Sequence, residues 1–206
     1  MEIRTVGVVG SGTMGNGIAQ VAAAAGHPVL LVDTSEEFLR RGLASIEKSL
    51  QRGVDKGTLT AGEKSAVLGR ITPGTTLAPL ASADFVIEAV NESLELKRRI
   101  FADLDRICGQ QVILATNTSS ISITRIASAT RRPPLVIGMH FMNPVPIMKL
   151  VEVIRGHETS DDAWRTTQSL AEKWGKVPVE VHDYPGFVSH RVLMPMINEA
   201  VCALHE

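Results

Sequence analysis

The chain alternates short apolar runs with amphipathic stretches, and this alternation constrains its fold more than any other feature. Thr5–Val9, Val29–Val32, Phe85–Ala89, Val112–Ala115, Leu135–Met139 and Leu150–Ile154 are of strand length, mostly rich in β-branched residues and nearly unbroken in apolar character. A strand with one wet face alternates apolar and polar residues. A run that is apolar throughout has both faces covered, as in a parallel sheet flanked by helices. Between the runs, Thr13–Ala25, Phe38–Leu50, Ser93–Ile107 and Asp161–Trp174 read as helices. Two of them end at Gly26 and Gly175, and glycine stops a helix by taking the left-handed conformation without a side-chain clash. The pattern predicts an α/β fold, a doubly wound and mostly parallel sheet. Gly53–Thr76, rich in Gly, Lys and Thr, reads as an insertion holding a short helix and a loop. After Pro185–Gly186, residues 187–206 read as a long helix with a wide apolar face, kinked at Pro195 where a backbone N–H is missing.

Composition narrows the classes. With 206 residues, 44% hydrophobic and 21% charged, the chain is ordinary globular material, not a disordered, collagen-like or disulfide-scaffold protein. The length fits one large domain, or one domain and the start of another. A net charge of −1 offers no electrostatic attraction for nucleic acid or an anionic membrane. Cys108 and Cys202 cannot form a disulfide framework, so a reducing, cytoplasmic setting is expected. No apolar run reaches the roughly 18 residues of a membrane span. The start of the chain lacks the basic head of a signal peptide. No His/Cys spacing points to a metal site.

Gly10-Ser11-Gly12-Thr13-Met14-Gly15 is G-x-G-x-x-G. It follows the first strand and opens the first helix, and the next strand ends in Asp33. That context is the dinucleotide-binding fingerprint. Gly10 permits the tight turn, Gly12 lets the backbone approach a pyrophosphate, and Gly15 lets helix and strand pack closely. The helix start offers free N–H groups and a positive dipole end to the phosphates. Asp33 is placed to accept hydrogen bonds from the adenosine ribose, and its charge would repel a 2′-phosphate. NAD is therefore expected over NADP, with Arg40 and Arg41 read as a solvated helix face. FAD is the other dinucleotide with this fingerprint.

Polar residues collect at the ends of later strands. Thr116-Asn117-Thr118-Ser119-Ser120 follows one run, His140 ends another, Asn143 precedes Pro144, and Glu152 lies inside the apolar run Leu150–Ile154. Carboxyl ends of strands line the ligand crevice of an open α/β sheet. A His there beside a carboxylate is an acid/base pair. Each residue also has a structural reading: Ser119 as a helix N-cap, Asn143 as a turn former, His140 as a core histidine. Glu152 resists one, because burying a carboxylate without a partner is costly. His27, His157, His182 and His205 read as surface or loop residues.

Val8–Ala19 (VVGSGTMGNGIA), Asp84–Lys97 (DFVIEAVNESLELK), Asn117–Thr124 (NTSSISIT), His140–Ile154 (HFMNPVPIMKLVEVI) and Asp183–Glu199 (DYPGFVSHRVLMPMINE) together closely resemble the NAD-binding domain of the 3-hydroxyacyl-CoA dehydrogenases, in particular the 3-hydroxybutyryl-CoA dehydrogenases. The resemblance implies oxidation of a 3-hydroxyacyl-CoA to the 3-oxoacyl-CoA, or the reverse. His140 is implied as the general base and Glu152 as its orienting partner, with Ser119 bonding the substrate oxygen near the nicotinamide. It also implies Gly10, Gly12, Thr13, Met14, Gly15, Asp33, Glu92, Lys97, Ser119 and Asn143 as NAD contacts, and Ser49 and Lys56 as coenzyme A contacts, with Lys56 also readable as a solvated lysine. Two further readings stay open: a homologue acting on a carrier-protein thioester, and a non-catalytic protein binding NAD or acyl-CoA.

The sequence departs from the family pattern in two places. After PGF the family usually has Asn before Arg, and here that position is His190. His190 is bulkier, and if protonated it would oppose protonation of His140, so weakened or altered catalysis is expected. The family also continues into an all-helical domain of roughly 100 residues that forms a homodimer. Residues 1–182 are accordingly expected to be the dinucleotide-binding domain. Residues 183–206 are expected to be a linker and the first helix of a truncated helical domain, its apolar face covered by another chain or prone to association.

Overall fold

The computed structural model describes residues 2–205. Its strands are β1 (Val6–Val9), β2 (Val29–Val32), β3 (Ile71–Gly74), β4 (Phe85–Glu88), β5 (Ile113–Thr116), β6 (Val136–Phe141), β7 (Leu150–Arg155) and β8 (Val177–His182). The helices are α1 (Thr13–Ala24), α2 (Glu36–Asp55), α3 (Ala61–Gly69), α4 (Leu94–Ile107), α5 (Ile123–Ala127), α6 (Asp161–Lys173) and α7 (Ser189–His205). The strands form a single sheet in the order β3-β2-β1-β4-β5-β6-β7-β8. Neighbours are parallel except β6 and β7, which are antiparallel. This is the expected mostly parallel α/β sheet.

Both faces are covered. Val8, Leu31, Phe85, Ile87 and Ala115 face a layer that includes Ile18, Ala22 and Ile46 from α1 and α2. Val9, Val86 and Leu114 face the layer of Phe101 and Leu104 from α4 and Ile123 and Ile126 from α5. That is why the strand sequences lack alternation: successive side chains enter different cores. Each fully buried aliphatic contributes about 1.5–3 kcal/mol.

Register decides what meets at the carboxyl edge. Val9 is level with Val32 and with Glu88, and Glu88 with Thr116. The glycine turn, Asp33, Glu88 and the Thr116–Ser120 turn therefore open on one edge. On β6 and β7, His140 pairs directly with Glu152. Residues directly opposite across antiparallel strands have side chains on the same face, in contact range.

Several elements differ from expectation. The insertion Gly53–Thr76 holds α3 and also β3, which pairs with β2. Its ITPG sequence has one buried residue and a proline, tolerable at a sheet edge because no outer neighbour needs the missing N–H. The opposite edge, β8, was not anticipated either. Val177 and Val179 are exposed, so it carries no continuous apolar run. α5 is too short to show a helical period. α2 reaches beyond Phe38–Leu50 at both ends, capped by the Ser35 hydroxyl. α7 runs through Pro195 and buries none of its residues. Among the described residues, no helix is long and apolar enough to cross a membrane.

Candidate active site

The glycine turn is built as its residues require. Gly10 has φ +100°. A Cβ on Gly15 would stand 1.8 Å from the Gly10 carbonyl oxygen, so only glycine lets α1 start this close to β1. A Cβ on Gly12 would meet nothing within 4 Å. Its backbone is bare toward a cavity of about 670 Å³ that Gly10, Ser11, Thr13, Asp33 and Asn91 also line. Asp33 ties the turn to β2: Oδ2 accepts from the Ser11 N–H at 2.6 Å and the Ser11 hydroxyl at 2.7 Å, and Oδ1 accepts from the Thr34 N–H at 2.7 Å. An open glycine backbone, a free helix N-terminus and a carboxylate at the end of β2 fit a dinucleotide. Arg41 lines this cavity with its guanidinium on Glu37, and Arg40 lines a separate groove with Leu43 and Ile71. Thr13 is exposed at the mouth, whereas Met14 packs against the apolar layer under α1.

The second half of the crevice centres on His140, which is 4% exposed. Glu152 Oε2 lies 2.8 Å from His140 Nδ1, and the Ser119 hydroxyl lies 3.1 Å from Nε2. Glu152 is 1% exposed. Burial alone would raise its carboxyl, but hydrogen bonds from His140 and Ser189 outweigh that and hold it down at about 2. Glu152 is thus ionised and accepts only, so in the neutral imidazole Nδ1 carries the proton and Nε2 can accept. That tautomer suits a general base, with Nε2 turned to the Ser119 hydroxyl at the carboxyl ends of the strands. Phe187 and His190 flank the imidazole, with ring centroids 5.9 and 5.5 Å away.

Ser119 is held by a second network, half-exposed at Glu92 and buried at Lys97 and Glu88. The exposed edge of Glu92 accepts from the Thr118 hydroxyl, from the Ser119 N–H at 3.0 Å and from the Ser120 N–H at 3.2 Å. Burial by itself would raise the Glu92 carboxyl; the Thr118 hydroxyl, the Lys97 charge and these N–H groups hold it below the usual range. Lys97 is 1% exposed. Its Nζ lies 2.6 Å from Glu88 Oε1, 3.3 Å from the Val90 carbonyl and 3.5 Å from Glu92 Oε2. Glu88 also accepts from the Thr116 hydroxyl at 2.7 Å. Lys97 therefore faces carboxylates and a carbonyl rather than the open crevice.

Among the described residues, the remaining expected contacts share no hydrogen bond with Ser119, His140 or Glu152. Asn143 is exposed in the loop before Pro144. Ser49 is half-buried on α2 and lines a separate cavity of about 550 Å³ with Lys149 and Lys173. Lys56 caps the C-terminus of α2 and is exposed. Among the other histidines, His27 is half-buried with Nδ1 on the Arg4 carbonyl, and His157, His182 and His205 are exposed.

Four features escaped sequence reasoning. Glu88 lies inside the apolar run Phe85–Ala89, and its charge is met by Lys97 and Thr116 from other elements. Asn117 Oδ1 accepts the Phe141 N–H at 2.9 Å and ties β5 to β6 at the site. Phe187 covers His140, and the Val188 and Ser189 amides reach Glu152. One signal was available: the loop 142–149 is too short for the crossover a parallel pair needs, which forces β7 antiparallel and His140 opposite Glu152.

Comparison with known proteins follows the same lines. Residues 5–184 match the family model described as 3-hydroxyacyl-CoA dehydrogenase, NAD binding domain. The chain is 52% identical over 206 residues to a probable 3-hydroxybutyryl-CoA dehydrogenase of Bacillus subtilis, covering 100% of this chain and 72% of that protein. It is 48% identical over 206 residues to the 3-hydroxyadipyl-CoA dehydrogenase of Escherichia coli, covering 100% of this chain and 43% of that protein. The crystal structure of (S)-3-hydroxybutyryl-CoA dehydrogenase from Ralstonia eutropha superposes with a TM-score of 0.97 at 49% identity, over 99% of this chain and 72% of that one.

Proposed function

This chain belongs to the 3-hydroxyacyl-CoA dehydrogenase family, and on that premise we propose how its residues carry out NAD-dependent interconversion of 3-hydroxyacyl-CoA and 3-oxoacyl-CoA. The single observation that carries the reading is the hydrogen-bonded chain Ser119–His140–Glu152, with His140 and Glu152 buried and Ser119 half-exposed. Bound NAD would supply the hydride acceptor; Gly10, Gly12 and Asp33 line the cavity that would hold it, and Gly15 lets α1 start close enough to form it. His140 Nε2 takes the proton of the 3-hydroxyl as the C3 hydride departs, and returns it in the reverse direction. Ser119 donates to the same substrate oxygen. Glu152 keeps Nδ1 protonated and stabilises the imidazolium, as a carboxylate does in other His-based sites. Glu92 and Lys97 act on this site through the turn that carries Ser119; Asn143 and Thr13, both exposed, complete the cofactor side, with Met14 offering its N–H at the start of α1 rather than its packed side chain. Ser49 and Lys56 receive coenzyme A. His190 occupies the position beside His140 and lowers the rate by opposing the imidazolium.

The names of the Bacillus subtilis and Ralstonia eutropha relatives support 3-hydroxybutyryl-CoA as the substrate we assign, within fatty-acid oxidation or butanoate metabolism, in the cytoplasm. We also read residues 1–182 as the cofactor domain and α7 as the first helix of a helical unit. Val192, Leu193, Met196, Ile197, Val201 and Leu204 are exposed and form the face such a unit, or a second subunit of a homodimer, would cover.

The test is incubation with NADH and acetoacetyl-CoA while NADH absorbance is followed. Turnover supports the assignment. NADH binding without turnover would reassign the chain to a binding role.

A further inference from the structure

We propose that the first turn of α7 is a positioning element of the active site: the backbone N–H groups of Val188 and Ser189 hold the Glu152 carboxylate and, through it, the tautomer and orientation of His140. This rests on the reading of His140 as the base, and it brings in main-chain groups from an element distant in sequence.

Glu152 divides its two oxygens. Oε2 takes His140 Nδ1 at 2.8 Å, and Oε1 takes the Val188 N–H at 3.1 Å and the Ser189 N–H at 2.8 Å. A carboxylate buried with one partner tends toward its neutral form. A neutral carboxyl could donate, and would no longer oblige Nδ1 to carry the proton. The two amides remove that choice, because charge-assisted bonds from N–H groups favour the ionised form. The match is reciprocal: N–H groups at a helix start lack intrahelical partners, and Glu152 satisfies them.

The chain adopts a disfavoured conformation to deliver these amides. Phe187 has φ 49° and Gly186 φ 77°. A bulky residue in the left-handed region is uncommon and needs support from its surroundings. Support comes from the Phe187 N–H on the Tyr184 carbonyl at 2.9 Å, the Arg191 N–H on the Gly186 carbonyl at 3.0 Å, and burial of the Phe187 ring at 2% exposure beside His140. One turn thus covers the imidazole with its side chain and holds the carboxylate with its next two amides. No residue of α7 itself is buried. Seating of α7 and the state of the His140–Glu152 pair are therefore linked through this turn.

Ser189 is the first helical residue, where proline is tolerated because the N–H has no helical partner. Ser189→Pro deletes one Glu152 donor, and Ser189→Ala, which keeps the N–H, is its reference. We expect kcat of Ser189→Pro to fall about tenfold below that of Ser189→Ala while the NADH Kd stays within about twofold. Equal kcat in the two variants overturns the proposal. A second reading needs neither turnover nor the proline variant: amide exchange in the full chain, wild type against Glu152→Gln. The Val188 and Ser189 amides should exchange about tenfold faster in the variant, with the β1 amides unchanged. Unchanged exchange at 188 and 189 overturns the proposal. If His140→Ala kept its turnover, the base assignment would fail, while the exchange result would still decide whether the turn holds Glu152.

Discussion

The two ends of the crevice are built by opposite means. The glycine turn is a main-chain site: bare backbone at Gly12, a left-handed Gly10 and a close approach at Gly15, with Asp33 as the side chain that pins it. The His140 end is a side-chain site. Its working atoms are buried and charged, and they are held by partners from β4, α4, β5, β7 and α7. A backbone site tolerates change in any side chain that does not collide with it. A buried ionic site tolerates almost none, because removing one partner strands another.

Substitutions can break or sharpen this contrast. His140→Ala should have the largest effect, a loss of about 10³-fold in kcat with the NADH Kd within about twofold, since proton transfer contributes about 10²–10⁴-fold; the NADH assay and a fluorescence titration read the two quantities. An equal loss in Kd would show that the two ends are not separate. Lys97→Met leaves Glu88, which is fully buried, without its cation. We expect a loss of about 3–5 kcal/mol in denaturant unfolding. A stable variant with weakened NADH binding would instead make Lys97 a direct cofactor contact.

Gly15→Ala places a methyl against the Gly10 carbonyl. It should cost about 1–3 kcal/mol and weaken NADH binding, leaving any residual kcat at saturating NADH near wild type. Acid titration probes the other end. Glu152 is held at about 2, below its ordinary 4.5, so its ionised form favours the folded state at pH above that ordinary value. This contribution, about 3 kcal/mol, is lost as pH falls from 4.5 through 2. Glu152→Gln lacks it, so stability measured from pH 5 to 2 should fall less steeply in the variant; parallel curves would remove Glu152 from the acid response. The smallest effect expected is a rise of a few-fold in kcat for His190→Asn, which removes the second imidazole packed 5.5 Å from His140. No gain in kcat would clear His190 of the inhibitory role.

Legibility in the sequence divides along the same line. The glycine turn, the strand before it, the helix after it and Asp33 all lie within one βαβ unit, so local spacing displayed the whole device. Continuous apolar runs exposed the inner strands, because burial on both faces leaves a one-dimensional mark. The edge strands β3 and β8 left no such run: β3 has one buried residue and a proline, and β8 alternates Val177, Val179 and Val181 with Pro178, Glu180 and His182. Ser119, His140 and Glu152 could be picked out as polar residues at strand ends, but their contacts could not. Glu88 and Asn117 look like strand-end polar residues of no special kind until register places them on Lys97 and Phe141. Lys97, expected at the cofactor, turned out to be buried among carboxylates, because a lysine stem on an apolar helix face does not show which way its charge is satisfied.

Periodicity and turn chemistry are properties of neighbouring residues, so the sequence by itself determined the α/β alternation, the doubly wound sheet, the nucleotide-binding turn and the candidates for its chemistry. Which oxygen of Glu152 faces His140, which amides face the other, and where Lys97 spends its charge were decided only in the tertiary structure. The Val188 and Ser189 amides lie 36 and 37 positions from Glu152, and even His140–Glu152 and Lys97–Glu88, 12 and 9 positions apart, join different elements; the energies involved arise from desolvating charges together. That cost and its relief exist only once the sheet, α4 and the first turn of α7 have closed around them.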